Sequence, residues 1–141
     1  MQKLKIYLAG QCKGLSDEGR EWRERVTEQL ETVAGWVDAN IAVIDPTKYF
    51  SYEEKRHKTQ RQVKQYYLWQ IAHSDIVLLN CDGTDVSIGT AQEIQFAVDH
   101  NIPVIGFGSG SAYPWITEAD CQGVFDSMHE AVDYIRDFYM S

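Results

Sequence analysis

Short apolar runs alternate with amphipathic stretches from one end of the chain to the other. Leu4 to Ala9 is a β-rich run stopped by Gly10 and followed by the polar turn Gln11-Cys12-Lys13-Gly14. A helical pattern then begins. Ser16 is placed to cap it, Asp17 and Glu18 suit its first turn, and Trp22, Val26, Leu30 and Val33 recur at helical spacing before Gly35. Ala39 to Ile44 predicts a second strand closed by Asp45-Pro46, because the residue before a proline is pushed out of helical geometry. After a charged and aromatic stretch, a long helix is expected somewhere beyond Tyr52, with Val63, Tyr67 and Ile71 on one face. Asp75 opens Ile76-Val77-Leu78-Leu79, the uninterrupted apolar run of a strand covered on both faces. Gly89 to His100 carries Ile94, Ala97 and Val98 at helical spacing, and Ile102 to Phe107 follows as another buried strand. At the carboxyl end Val124-Phe125 is a short strand, Ser127 and Glu130 form a capping-box pair, and Val132, Ile135 and Tyr139 make a buried stripe.

Strands alternating with helices throughout predict one α/β domain over residues 1–141. The expected architecture is Rossmann-like, of flavodoxin-like type: a five-stranded parallel sheet of order 2-1-3-4-5 with helices on both faces. Such sheets bind ligands beyond the carboxyl ends of their strands, at the point where strand order reverses. The loops at 10–16 and 80–89 should therefore face one crevice.

Composition narrows what that crevice can take. At 141 residues, 44% of them hydrophobic, the chain can bury a sizeable core. A formal charge of −8 repels phosphate backbones, which argues against nucleic-acid polymers and anionic membranes as partners but leaves a small anionic ligand open where positive groups gather. Three cysteines without a CxxC pair and four histidines without ligand spacing suggest reduced thiols, no metal and no cofactor. Gly10 and Gln11 arrive too early for a signal peptide, and no apolar run reaches the ~18 residues of a membrane span, so a cytoplasmic location is expected. Gly106-Phe107-Gly108-Ser109-Gly110 mimics a dinucleotide fingerprint, yet it runs on to Tyr113-Pro114 instead of opening a helix and reads as a turn.

The informative stretch is the strand at 76–79, its polar loop through Asp85 and Ser87, and the helix beginning Gly89-Thr90-Ala91-Gln92-Glu93. A helix amino terminus favours negative charge, so Gly89, Thr90 and Glu93 could serve a phosphate or hold a working carboxylate. Equally, Asp85 or Ser87 could simply cap the helix and Glu93 be an acid stabilised by its dipole.

Ile6-Tyr7-Leu8-Ala9-Gly10, Asp45-Pro46-Thr47-Lys48-Tyr49, Ser74-Asp75-Ile76-Val77, the Gly89-Thr90-Ala91-Gln92-Glu93 element and Pro103-Val104-Ile105 together resemble the nucleoside 2-deoxyribosyltransferase family over residues 3 to 107. The resemblance implies N-glycosidic chemistry, with Glu93 as nucleophile on C1′ of a deoxyribose and Tyr7 orienting it. Transferases of that family carry an aspartate where this chain has Ser87, the nearest acid being Asp85. Ser87, together with the Gly10-Gln11-Cys12-Lys13-Gly14 loop, looks instead like the related 2′-deoxynucleoside 5′-monophosphate N-hydrolases. Gly10, Lys13, Asp85, Ser87, Gly89 and Thr90 are accordingly the expected substrate contacts, with Lys13 as phosphate cation. Tyr67 stands where relatives place an acid that meets the leaving base, and Tyr49, Phe50 and Tyr52 are candidate base-stacking residues. The resemblance also implies a homodimer or larger homo-oligomer, to which Ser109, Ser111 and Trp115 could contribute. The competing expectation is a non-catalytic nucleotide-binding or sensor domain on the same fold.

Overall fold

The structure, a computed structural model, describes residues 3–12, 17, 19–48, 57–85, 87–108 and 113–140. Five strands, β1 (Leu4–Ala9), β2 (Ile41–Ile44), β3 (Ile76–Asn80), β4 (Val104–Phe107) and β5 (Gly123–Phe125), form one parallel sheet in the order β2-β1-β3-β4-β5. The expected α/β, flavodoxin-like order 2-1-3-4-5 is the one observed. Four helices cover it: α1 (Arg20–Trp36), α2 (Gln60–Ala72), α3 (Ile88–Asp99) and α4 (Met128–Tyr139). None of the described helices is long and apolar enough to cross a membrane.

Strand alternation divides the core. Ile6, Leu8, Ile76, Leu78, Ile105 and Phe107 point to the face where Val26, Leu30 and Val33 of α1 meet Ala131, Val132 and Ile135 of α4. Tyr7, Ala9, Val77, Leu79 and Val104 point to the other, against Ile71 of α2 and Ile94 and Ala97 of α3. The register pairs Tyr7 with Val77 and Ala9 with Leu79, so β1 and β3 end level. Their loops open side by side at the reversal point.

Several local boundaries differ from expectation. Helix α1 starts at Arg20, behind a left-handed Gly19 (φ 80°), and its amino end is held by Asp17, whose carboxylate accepts the backbone N–H groups of Gly19 and Glu21 at 2.9 Å each. Ser16, the expected cap, lies outside the described residues. The helix runs past Gly35 to Trp36, and Asp38 (φ 56°) takes the left-handed turn instead. Helix α2 begins only at Gln60, under a capping box formed by Thr59 and Gln62. The strands β2 and β4 are shorter than the apolar runs that suggested them: Ala39, Asn40, Ile102 and Pro103 lie before the paired residues, although the Asn40 and Pro103 carbonyls each accept a bond from the neighbouring strand. Tyr139, expected in the buried stripe of α4, packs only partly against the core, and Ala131 takes its place with Val132 and Ile135.

Candidate active site

A cleft of about 570 Å³ lies beyond the carboxyl end of β1, between α2 and the start of α3, a volume in the range of small-molecule sites. Its walls come from three places. The end of β1 supplies Gly10, Gln11 and Cys12; α2 supplies Gln60, Val63, Lys64, Tyr67 and Leu68; the start of α3 supplies Ser87, Ile88, Gly89, Thr90, Gln92 and Glu93. The spacing of the α2 residues, i, i+3, i+4, i+7 and i+8, is one helical face turned to the cleft.

At the floor, the Tyr7 hydroxyl donates to Glu93 Oε2 at 2.5 Å, the length of a charge-assisted bond. Strand alternation turns Tyr7 toward α2 and α3, where it is fully buried. Glu93 reaches it from the second turn of α3, one turn above Gly89 and Thr90 on the same face. As a residue Glu93 retains access to the cleft, while protein surrounds its carboxyl group. Burial pushes that carboxyl up from the ordinary 4.5 to about 7, against the lowering effects of the Tyr7 hydrogen bond and the Arg23 charge. Tyr7 itself is raised well above its ordinary value, first by burial and then by the charge of Glu93. Its proton is fixed as a donor. A carboxyl poised near neutrality, with one oxygen held by a neutral donor, can act as nucleophile, as base or as acid.

Ser87 occupies the cap position of α3 without capping it: its hydroxyl pairs with the Thr90 hydroxyl at 2.7 Å, and among the described residues no side chain caps the first-turn N–H groups. Gly10 lies on the opposite wall, where an added Cβ would meet Trp22 Cζ2 at 2.8 Å, so only glycine fits without displacing the indole. Of the expected contacts, Gly10, Ser87, Gly89, Thr90 and Glu93 line the cleft, with Tyr7 directly beneath Glu93. Asp85 is exposed on the loop and does not line it. Lys13, Tyr49, Phe50, Tyr52, Ser109 and Ser111 lie outside the described residues, and Trp115 is exposed.

Tyr67 was expected in a buried stripe with Val63 and Ile71. Those two are buried, but Tyr67 is half-buried in the cleft wall, where its hydroxyl donates to the Pro46 carbonyl at 3.3 Å. Two features were missed from the sequence. One is the α2 wall, including Lys64, whose signal was the helical face counted from Gln60. The other is Arg23, 1% exposed, which the phase of the buried positions Val26, Leu30 and Val33 would have found. Among the described residues no cluster of three or more potential metal ligands occurs.

The family model described as nucleoside 2-deoxyribosyltransferase matches residues 6–128. Among curated proteins, none matches this chain by sequence. Among solved structures, a 2-deoxyribosyltransferase of Leishmania mexicana is similar with TM-score 0.71 and 15% identity, covering 96% of this chain and 99% of its own. The 2-deoxyribosyltransferase of Bacillus psychrosaccharolyticus aligns with TM-score 0.65 and 19% identity over 92% of this chain and 91% of its own. A CMP N-glycosidase of Clostridium botulinum, BcmB, gives 0.54 and 15% over 96% and 99%. At these identities the structural likeness shows the fold.

Proposed function

Because the chain belongs to the nucleoside 2-deoxyribosyltransferase family, we propose that it cleaves the N-glycosidic bond of a 2′-deoxynucleoside or its 5′-monophosphate through Glu93. The observation that carries this reading is the buried Tyr7–Glu93 pair at the floor of a nucleoside-sized cleft.

In the proposed reaction the Glu93 carboxylate attacks C1′ and forms a C1′–O bond. The C1′–N bond breaks, its electron pair leaves with the base, and the base takes up a proton from solvent. The resulting glycosyl–Glu93 ester is attacked at C1′ by a second base or by water, which gives up a proton and expels the carboxylate, so the configuration at C1′ is retained. A carboxylate suits both steps: it stabilises an oxocarbenium-like centre and is a competent leaving group. Tyr7 holds Oε2, which leaves the other oxygen to attack. Transfer and hydrolysis differ only in the acceptor that reaches the ester.

For the 5′ end, the uncapped first turn of α3 with Gly89, Thr90 and Ser87 offers N–H groups and hydroxyls, and a serine there does not repel a phosphate as an aspartate would. Lys13 is the proposed phosphate cation, and Lys64 adds positive charge from the α2 wall. A neighbour of this fold is by name an N-glycosidase of CMP, a nucleotide, which favours the same substrate class. The working unit in this reading is a homodimer or larger, in the cytoplasm, acting on small molecules.

The experiment is incubation with deoxynucleosides and their 5′-monophosphates, with and without a second free base, followed by chromatography. Base release is expected, and Glu93→Ala should reduce it by about 10³-fold or more while the protein stays folded. Lys13→Ala should raise KM for a nucleotide far more than for a nucleoside. Tight nucleotide binding without release of any base would replace this reading with a non-catalytic nucleotide-binding domain.

A further inference from the structure

Arg23 sits on the buried face of α1, 1% exposed, in a position its neighbours in phase fill with valine and leucine. Its guanidinium spends its donors on main chain. Nη1 donates to the Gly19 carbonyl and Nη2 to the Gly10 carbonyl, each at 3.0 Å, and Nε points to the Leu8 carbonyl at 3.4 Å. Its planar head lies 4.4 Å from the centre of the Trp22 ring. Gly10 and Gly19 are the two ends of the segment that joins β1 to α1, so one side chain grips both ends of the loop that walls the cleft. Both glycines are shaped to it: a Cβ at Gly19 would collide with Arg23 Nη1, and one at Gly10 would strike the indole on which Arg23 rests.

The electrostatics are as unusual as the geometry. Among the described residues no carboxylate forms an ion pair with Arg23, and a buried cation held by carbonyl dipoles and the face of an indole is costly to keep. Loop-holding alone is work that neutral donors can perform. The acidic groups that feel the Arg23 charge are those around the floor of the cleft: Glu93, Tyr7 and Cys12. We propose that Arg23 is a positioning residue for the Glu93 chemistry: by holding the Gly10 and Gly19 carbonyls it keeps the Gly10–Cys12 wall of the cleft in its working place. Its charge also acts on the Glu93 carboxyl, against the effect of burial. Tyr7 from β1 bonds that carboxyl, Cys12 feels its charge and that of Asp45, and Tyr67 and Lys64 of α2 line the same cleft.

This inference rests on the glycosidic reading, and its test separates the two. Base release is followed as kcat/KM against pH for wild type, Arg23→Gln and Arg23→Lys, and the Glu93 titration is followed by 13C NMR of glutamate-labelled protein, assigned with Glu93→Gln. Arg23→Gln should move both the acid limb of the profile and the NMR titration to higher pH, and should raise KM roughly tenfold or more. Arg23→Lys should leave both titrations near wild type but keep the rise in KM, since the charge remains and the two-ended grip is lost. An Arg23→Gln protein whose Glu93 titrates as in wild type overturns the inference. If the glutamine variant does not fold, an Arg23→Lys protein with wild-type KM overturns the clamp. A wild type that releases no base refutes the glycosidic reading, and the NMR titration then decides the role of Arg23 alone.

Discussion

On the α1/α4 face of the sheet the buried side chains of the strands and helices are apolar from Ile6 and Leu8 to Val132 and Ile135, with Arg23 of α1 as the exception. On the α2/α3 face the corresponding layer is interrupted by Tyr7 and Cys81, and Glu93 reaches into it to bond Tyr7. The same strand serves both, since alternation sends Ile6 and Leu8 one way and Tyr7 and Ala9 the other. One face is a dense platform that gains from every buried methylene. The other accepts the cost of a buried ionisable pair and leaves a cleft beside it. Stability and chemistry should therefore separate by face, with Arg23, at the start of α1, bonded to carbonyls at the end of β1 where the cleft begins.

The largest effect should come from breaking the platform. Leu78→Ala removes a fully buried side chain from the α1/α4 face and should cost about 2–5 kcal/mol of stability, read as a fall in denaturation midpoint. The fraction that remains folded should keep the wild-type pH profile. A smaller effect of another kind is expected from Tyr7→Phe. It deletes a hydroxyl whose donation favours the Glu93 carboxylate, so kcat/KM should drop about 10–100-fold, with its acid limb moved to higher pH. Unaltered kinetics in that variant would reduce Tyr7 to a packing residue.

An effect confined to part of the pH range sharpens the comparison through stability alone. Folded Glu93 titrates at about 7 against an ordinary 4.5. Between those values the folded protein keeps a proton that the unfolded chain has released, so stability falls as pH rises through the window. Glutamine escapes that loss. Glu93→Gln should exceed wild type at pH 8 by about 3 kcal/mol and converge with it below pH 4.5, as thermal melts in the two buffers would report.

Much of this was legible from residue pattern. The sheet order followed from apolar runs such as Ile76–Leu79 alternating with amphipathic stretches, and the pairing of Tyr7 with Glu93 followed from family resemblance applied to Gly89-Thr90-Ala91-Gln92-Glu93. What escaped had physical reasons. The amino end of α1 is made by Asp17 and a left-handed Gly19, a backbone arrangement that cap preferences for Ser16 do not report. Arg23 was passed over because a charged residue in a hydrophobic phase reads as surface, although its partners are carbonyls that only the fold brings together. Tyr67 faces the cleft because α2 is rotated to bury Val63 and Ile71 beside it, an angle that spacing leaves open by a fraction of a turn.

The proposed mechanism carries a deoxyribosyl group on Glu93. The most direct measurement is intact and peptide mass spectrometry of the protein after incubation with a 2′-fluoro-arabinonucleoside or its 5′-monophosphate, whose electronegative substituent slows breakdown of a glycosyl ester. The account predicts a mass increase equal to the sugar moiety, located on the peptide that contains Glu93 and absent from Glu93→Gln. Rapid base release from the natural substrate with no adduct on Glu93, or an adduct on another side chain, would contradict it.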